Sequence, residues 1–498
     1  MDAESDLIDD AADSHLRVRL AQGGAILFEP AGFRLIATRG LKRSPLRAYE
    51  AISHVYVTDR VFLIGTTAGL LSVRIRDFMD PIEGPVRARQ ELLARVADRP
   101  DGIAHLEEIE AVDQLGNRNG PVWAIWATVA LCLIGTAFQL ADPLFQQVTA
   151  FMPELFGRGE YWRAITAHFI HDFSPVPQVL QPIFPSLPFI PFHLAINVGG
   201  LFVLGHLVER PLGSWRTALV ITLSGAGTVL GIVLAGHVEV IGSSGLVAGL
   251  AGAMLALELH HPEALPAFWR LPRRLFITAI VLQFGVIDQL LSSYLAGGAH
   301  LGGFAGGYGA IRLLGSPSLE KLEPSTPLKF ATVCAASLVA MGFVGVAPLA
   351  RHDMGALERH AFRLLNAPNA VYLYRHDNAA AWLIATEGDA SDQGLEMAVA
   401  LADRAVETTG RIHPGVLDTL AETLFQSGDR LGALLTIEEA IRLQPTDPYF
   451  FEQRRRFTGE RASEDRPPPP GSPAEDDRSF DDDFEGLPVQ LDSPRVTI

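Results

Sequence analysis

Apolar and polar residues alternate between positions 15 and 82, as in "GFRLIAT" and "HVYVTDRVFLIGTTAGLLSVRI". A period of two buries every second side chain on one face of a strand. With turn signals at Thr58-Asp59 and at Gly69, the stretch predicts a small antiparallel β unit. From Val86 the pattern changes, because "VRARQELLARVADR" spaces its apolar residues as one helix does. From Pro121 onward, apolar runs long enough for a bilayer recur at about 121–141, 191–209, 216–236, 243–259, 275–295, 299–315 and 329–350. Residues 368–455 return to soluble helical patterning. From about Gly459 the chain is Pro-rich and then acidic ("SPAEDDRSFDDDFEG"), with too few apolar residues to fold alone, and predicts a disordered tail.

Composition agrees with a membrane protein: 48% of the 498 residues are hydrophobic and 19% charged. The net charge of −17 argues against nucleic acid as a partner, and much of the excess acid lies in the tail. Cys132 and Cys334 fall inside apolar runs and read as small buried hydrophobes. The acidic first 14 residues lack a basic stretch followed by an apolar one, so no cleavable signal is expected and the first membrane helix does the targeting. Arg210 and Arg216, then Arg270, Arg273 and Arg274, then Arg312, Lys321 and Lys329 occupy alternate loops, whereas "AGHVEVIGS" and "SYLAGGAH" carry no Lys or Arg. The positive-inside rule then makes the N-terminus cytoplasmic, and seven spans put everything after about residue 350 on the opposite side.

Polar groups in a spanning helix are expensive, so each invites a functional reading. In "EVIGSSGLVAGLAGAM" Ser244 opens a short Gly-rich helix whose free backbone N–H groups could stabilise an oxyanion. His300 opens a later helix on the same face, in "AHLGGFAGG". Gly303 and Gly307 lie four apart, as do Gly245 and Gly249 on the Ser244 helix, a spacing that permits close helix contact; Gly242 is grouped with these packing glycines. An imidazole brought to the hydroxyl would supply the base that a serine nucleophile needs. No carboxylate lies near either motif in sequence, which predicts a Ser–His dyad rather than a triad. Asp288, inside an apolar helix, requires a polar partner or a water-filled crevice, and the sequence does not identify that partner. His206, His237, His260 and His261 sit near membrane boundaries, where interfacial solvation accounts for them.

"FHLAINVGGLFVLGHLVERPLGSWR" (Phe192 to Arg216), "GSSG" and "AHLGGFAGG", in that order, resemble the rhomboid intramembrane serine proteases. The upstream "EYWRAITAHFIHDFS" is similar to that family's first external loop, with its Trp-Arg pair at Trp162 and Arg163. The resemblance covers about residues 121–315. It implies a six-helix catalytic body, making 329–350 an added seventh helix. It also implies Ser244 as nucleophile, with Ser243 at the variable motif position, His300 as general base and acid, and Asn197 and His193 as oxyanion-pocket side chains beside the Ser244 amide. His168 and His171 resemble structural loop positions rather than metal ligands, and no metal or cofactor is implied. Two departures stand out. Ala248 occupies the position where many members carry an aromatic that packs on the catalytic imidazole, and "PVPQVLQPIFPSLPFIP" (Pro175 to Pro191) is inserted before the second helix.

Outside that body, strands followed by one helix resemble a pleckstrin-homology-like unit. Ala421, Gly428, Ala433, Ala440 and Pro445 occupy positions where tetratricopeptide repeats carry small residues and a closing proline. The expected architecture is an all-α polytopic membrane protein with soluble attachments. It has an acidic tail (1–14), a cytoplasmic β-rich unit (15–100), a rhomboid-like membrane domain (119–315), an extra transmembrane helix (329–350), a tetratricopeptide-like helical region (360–458) and an acidic disordered tail (459–498). The expected activity is serine endopeptidase cleavage of transmembrane substrates within the lipid bilayer of a bacterial inner membrane, with a protein partner for the C-terminal repeats. The alternatives are a catalytically inactive client binder and a scaffold.

Overall fold

The structure, a computed structural model, describes residues 17–36, 44–66, 69–116, 121–142, 144–173, 191–261, 273–290, 295–314, 324–367, 373–462 and 466–467. The N-terminal acidic tail, most of the C-terminal one and most of the 175–191 insertion lie outside these residues. The alternating N-terminal stretch forms two antiparallel three-stranded sheets. One contains β1 (Arg17–Arg19), β2 (Ala25–Glu29) and β3 (Gly32–Ile36), and the other β4 (Ile52–Val57), β5 (Val61–Thr66) and β6 (Gly69–Arg74). The Thr58-Asp59 signal links β4 to β5, whereas Gly69 opens β6. Helix α1 (Glu83–Ala97) follows as expected. A second helix, α2 (Gly102–Gly116), extends this unit past residue 100 by burying Ile109 in the same core as Phe28, Phe33, Phe62 and Leu92.

Among the described residues, the apolar segments form seven successive helical stretches. They are α3 (Trp123–Ala141), then, after the short helices α4 (Phe145–Thr149), α5 (Pro153–Phe156) and α6 (Arg163–Thr166), helices α7 (Phe192–Leu212), α8 (Ser214–Ala235) and α9 (Ser244–His260). The fifth pass is composite: α10 (Arg273–Leu282), a π-helical turn (Gln283–Ile287) and α11 (Asp288–Leu290). Helices α12 (Gly297–Leu314) and α13 (Thr326–Ala350) complete the set. Among the described residues, α3, α7, α8 and α13 are each long and apolar enough to cross a membrane, and α9 is a shorter apolar helix. Because successive passes run antiparallel, the end of α3, the starts of α9 and α12 and the end of α13 share one end of the bundle.

Glycine determines how closely the passes approach. A Cβ on Gly303 would meet the Gly245 carbonyl, and one on Gly307 would meet the Gly249 carbonyl, so α12 and α9 touch backbone to backbone, as their spacing predicts. A second row, Gly298, Gly302 and Gly306, meets α8 in the same way, at Gly231, Gly227 and Leu223. Gly242 is not a helix-packing residue: it precedes α9 at φ +112°, where only glycine is unstrained, and its amide donates to the Ala167 carbonyl at 2.8 Å.

The C-terminal helices α14 (Met354–Leu365), α15 (Tyr374–Thr386), α16 (Asp392–Thr408), α17 (Pro414–Gln426), α18 (Arg430–Leu443) and α19 (Pro448–Thr458) stack as successive hairpins. Asp353, Ser391, Asp429 and Asp447 cap four of them through their side chains, which α3, α7, α8 and α9 do without. Ala421, Ala433 and Ala440 are buried, and Gly428 turns between α17 and α18 at φ +91°. These helices share one core with the segment between α3 and α7, where Phe145, Val148, Met152 and Leu155 join Leu357, Leu364, Ile384 and Leu401.

Buried polar bonds cross the same boundary. Glu160 accepts from Arg163 Nε at 2.6 Å and meets His360 Nδ1 at 2.6 Å, and Arg163 donates to the Gln147 and Ala150 carbonyls. His352 spans Asp142 and Glu387, and His376 faces Glu239 at 3.7 Å. Burial alone would raise the Glu160 carboxyl, but His360 and Arg163 outweigh it and hold the group well below its ordinary range.

Two predictions follow from this packing. Gly303→Val and Gly307→Val should each destabilise the protein by about 1–3 kcal/mol, because α12 must move off α9. Gly309→Ala, with open space around it, should leave the melting temperature in detergent unchanged. Because the folded Glu160 carboxyl lies below its ordinary 4.5, its contribution is present above that value and lost as the pH falls through the depressed folded one. Melting curves of wild type and Glu160→Gln should therefore differ near neutral pH and converge on acidification. A gap that stays constant would contradict this.

Candidate active site

Ser244 is the first residue of α9, and Gly242 supplies the sharp backbone entry into it. The first amides of a helix have no intrahelical acceptor; here Leu246 and Val247 donate to the Ser243 carbonyl, which leaves the Ser244 and Gly245 N–H groups for an anion. His300 lies in the first turn of α12 at 5% exposure, and its Nε2 is 2.7 Å from Ser244 Oγ. The two residues, 56 positions apart, meet because Gly245 and Gly303 bring the two helix starts together.

The other imidazole nitrogen corrects an expectation. His300 Nδ1 is 3.0 Å from each carboxylate oxygen of Asp288, which is 1% exposed. A carboxylate therefore accompanies the pair, and the missing partner of Asp288 is the catalytic-motif histidine itself. Gln283 Nε2 donates to Asp288 Oδ1 at 2.8 Å. Sequence spacing concealed the arrangement, since Asp288 and His300 belong to different helices. The available signal was the cost of an isolated carboxylate in an apolar pass.

Asn197 and His193 lie one turn apart at the start of α7, which packs along α9 where Gly200 meets Val247. Asn197 Nδ2 donates to the His193 carbonyl at 2.9 Å, and its buried Oδ1 has no protein partner. His193 Nδ1 accepts from the Asp172 amide at 3.1 Å. That bond fixes the tautomer with the proton on Nε2, a buried nitrogen without a protein partner and thus an unused donor.

Ser243, the rival hydroxyl, is fully buried and faces His171 Nε2 at 3.2 Å. Gln139 holds the His171 backbone through both its amide and its carbonyl, and the His171 ring lies against that of His193, with centroids 5.2 Å apart. Burial pushes His168 down to about 4 and His171 to about 3, with His193 adding to the latter, so both rings are neutral near pH 7. Trp162 Nε1 donates to the Val148 carbonyl at 3.0 Å, and Arg163 is fully buried, so this pair braces the loop rather than entering the Ser244–His300 contact. Ala248 leaves the imidazole without an aromatic from α9, as the sequence implies.

The arrangement can perform one kind of chemistry well. A hydroxyl sits at a helix N-terminus, an imidazole is placed to take its proton, and the unused Nε2–H of His193 lies on the adjacent helix beside the Asn197 amide, the components of acyl transfer through a serine.

Comparison with known proteins locates this site. Residues 188–317 match the family model of the Rhomboid domain, an interval that contains Ser244, Asp288 and His300. "Inactive RHOMBOID-like protein 8" of Arabidopsis thaliana is 28% identical over 171 residues, 33% of this chain and 42% of that protein. "Rhomboid protease GluP" of Bacillus subtilis (strain 168) is 28% identical over 164 residues, 33% of this chain and 28% of that protein. The chain thus spans less than half the length of either relative. No solved structure matches it at a significant level. Residues 188–317 thus carry a Rhomboid domain, and over that interval the chain is similar to the rhomboid proteins.

Proposed function

We propose that this protein is an intramembrane serine endopeptidase that cleaves transmembrane segments of other membrane proteins. The 2.7 Å contact between Ser244 Oγ and His300 Nε2 carries the reading. Ser244 attacks the scissile carbonyl as His300 takes the hydroxyl proton. The tetrahedral oxyanion is met by the Ser244 amide and by donors from Asn197 and His193. His300 then protonates the leaving amine, and water, activated by the same imidazole, hydrolyses the acyl-enzyme.

The relative described as inactive raises a second reading, a binder of membrane clients without chemistry. The paired hydroxyl and imidazole favour the protease. We read the N-terminal unit as cytoplasmic and α14–α19 as lying on the opposite side with Ser244, a reading supported by the distribution of basic residues between the loops. In support, that region packs on the segment that follows α3. We assign α14–α19 a repeat-type, partner-recruiting role. Removing them would strip apolar cover from Phe145, Val148 and Met152, so exposed-face substitutions such as Leu431→Ser and Leu435→Ser test recruitment better than truncation.

In proteoliposomes with a test transmembrane substrate, Ser244→Ala and His300→Ala should abolish cleavage, and Asn197→Ala or His193→Ala should lower kcat on the order of 100-fold. Retained cleavage in Ser244→Ala or His300→Ala would remove the assignment, and loss in Ser243→Ala alone would move the nucleophile.

A further inference from the structure

We infer that Asp288 is a positioning residue for His300, which makes the site a three-membered Asp–His–Ser array. The inference rests on the protease reading above. A base that accepts the Ser244 proton must present an unprotonated Nε2, which requires the proton on Nδ1. Asp288 meets that requirement: both its oxygens lie 3.0 Å from Nδ1 and can only accept when ionised, so they select the Nδ1–H tautomer and fix the ring plane. Their negative charge also stabilises the imidazolium that forms when the hydroxyl proton transfers, between two groups that are both buried.

The backbone is shaped for this contact. In an α-helix, residues five apart point about 140° away from each other. The π-helical turn at Gln283–Ile287 brings Gln283 and Asp288 onto one face, where the amide donates to Oδ1 at 2.8 Å. Gly297 clears the approach, since a Cβ there would stand 3.3 Å from Asp288 Cβ. With alanine at position 248, the ring is held through its two nitrogens, Nε2 at Ser244 and Nδ1 at Asp288. Among the described residues, Ser244 faces Nε2, and His193 and His237 lie near enough to feel a charge on the imidazole.

Asp288→Asn keeps the volume but loses the charge, and its amide can donate to Nδ1 and thereby favour the wrong tautomer. We expect kcat for the transmembrane substrate to fall on the order of 100-fold or more, with KM within about threefold and the melting temperature retained. Asp288→Glu should recover at least about tenfold of the loss, because the carboxylate is restored. Asp288→Asn turning over within about threefold of wild type would overturn the inference. So would a loss matched by a fall in melting temperature that Asp288→Glu does not repair. Should the neutral variant fail to fold, nitrogen-15 spectra of histidine-labelled wild type in liposomes decide the matter, with His300 assigned by difference from His300→Ala. A proton on Nδ1 supports the role and a proton on Nε2 excludes it. Wild type that fails to cleave in parallel assays defeats the protease reading instead, a result distinct from an active wild type with an indifferent Asp288.

Discussion

The site depends on how closely two helices can approach. Ser244 and His300 stand at the starts of α9 and α12, and short side chains bridge them only because the backbones touch at Gly245–Gly303 and Gly249–Gly307. Water does not drive such contact within lipid, so it relies on dispersion and on the closeness that small residues permit. α12 meets α8 through a second glycine row, which leaves His300 on a helix locked from two sides. A contact that must be held to about half an ångström is thus set by the residues with the least chemistry of their own.

Support for the same end of the bundle comes from outside the membrane body. The segment between α3 and α7 closes on itself through Arg163, Glu160 and Trp162, and its apolar side is buried against α14 and α15 in one continuous core. Arg363 stacks over Trp162 at 5.8 Å and reaches Glu160 at 3.4 Å. His171 then passes the rigidity on, since it touches both Ser243 and His193 next to the reacting groups. The C-terminal helices are therefore packed into the structure that surrounds the site.

Much of this was legible in the sequence. The helices of the apolar segments start and end within a few residues of the hydropathy reading, and α3, α7, α8 and α13 are long and apolar enough to cross a membrane. Ser244, His300 and the glycine pairs could be read together because i, i+4 spacing on a helix defines a face whatever the tertiary context. Contacts between elements were not legible. Asp288 lies on a different pass from His300, and the π turn that aims it has no clear mark in "QFGVI". Glu160 and His360 are 200 residues apart, and neither local pattern predicts the other. Helix α2 was missed because its weak apolar spacing is resolved only by packing of Leu106 and Ile109 on the sheet core.

The central claim is that the Ser244 hydroxyl is an activated nucleophile. The most direct measurement is covalent: treat the liposome-reconstituted protein with a fluorophosphonate, digest it and map the adduct by mass spectrometry. The account predicts one adduct on Ser244, absent when His300 is replaced by alanine. An adduct on Ser243, or an unmodified protein under conditions that label a serine protease control, would contradict it.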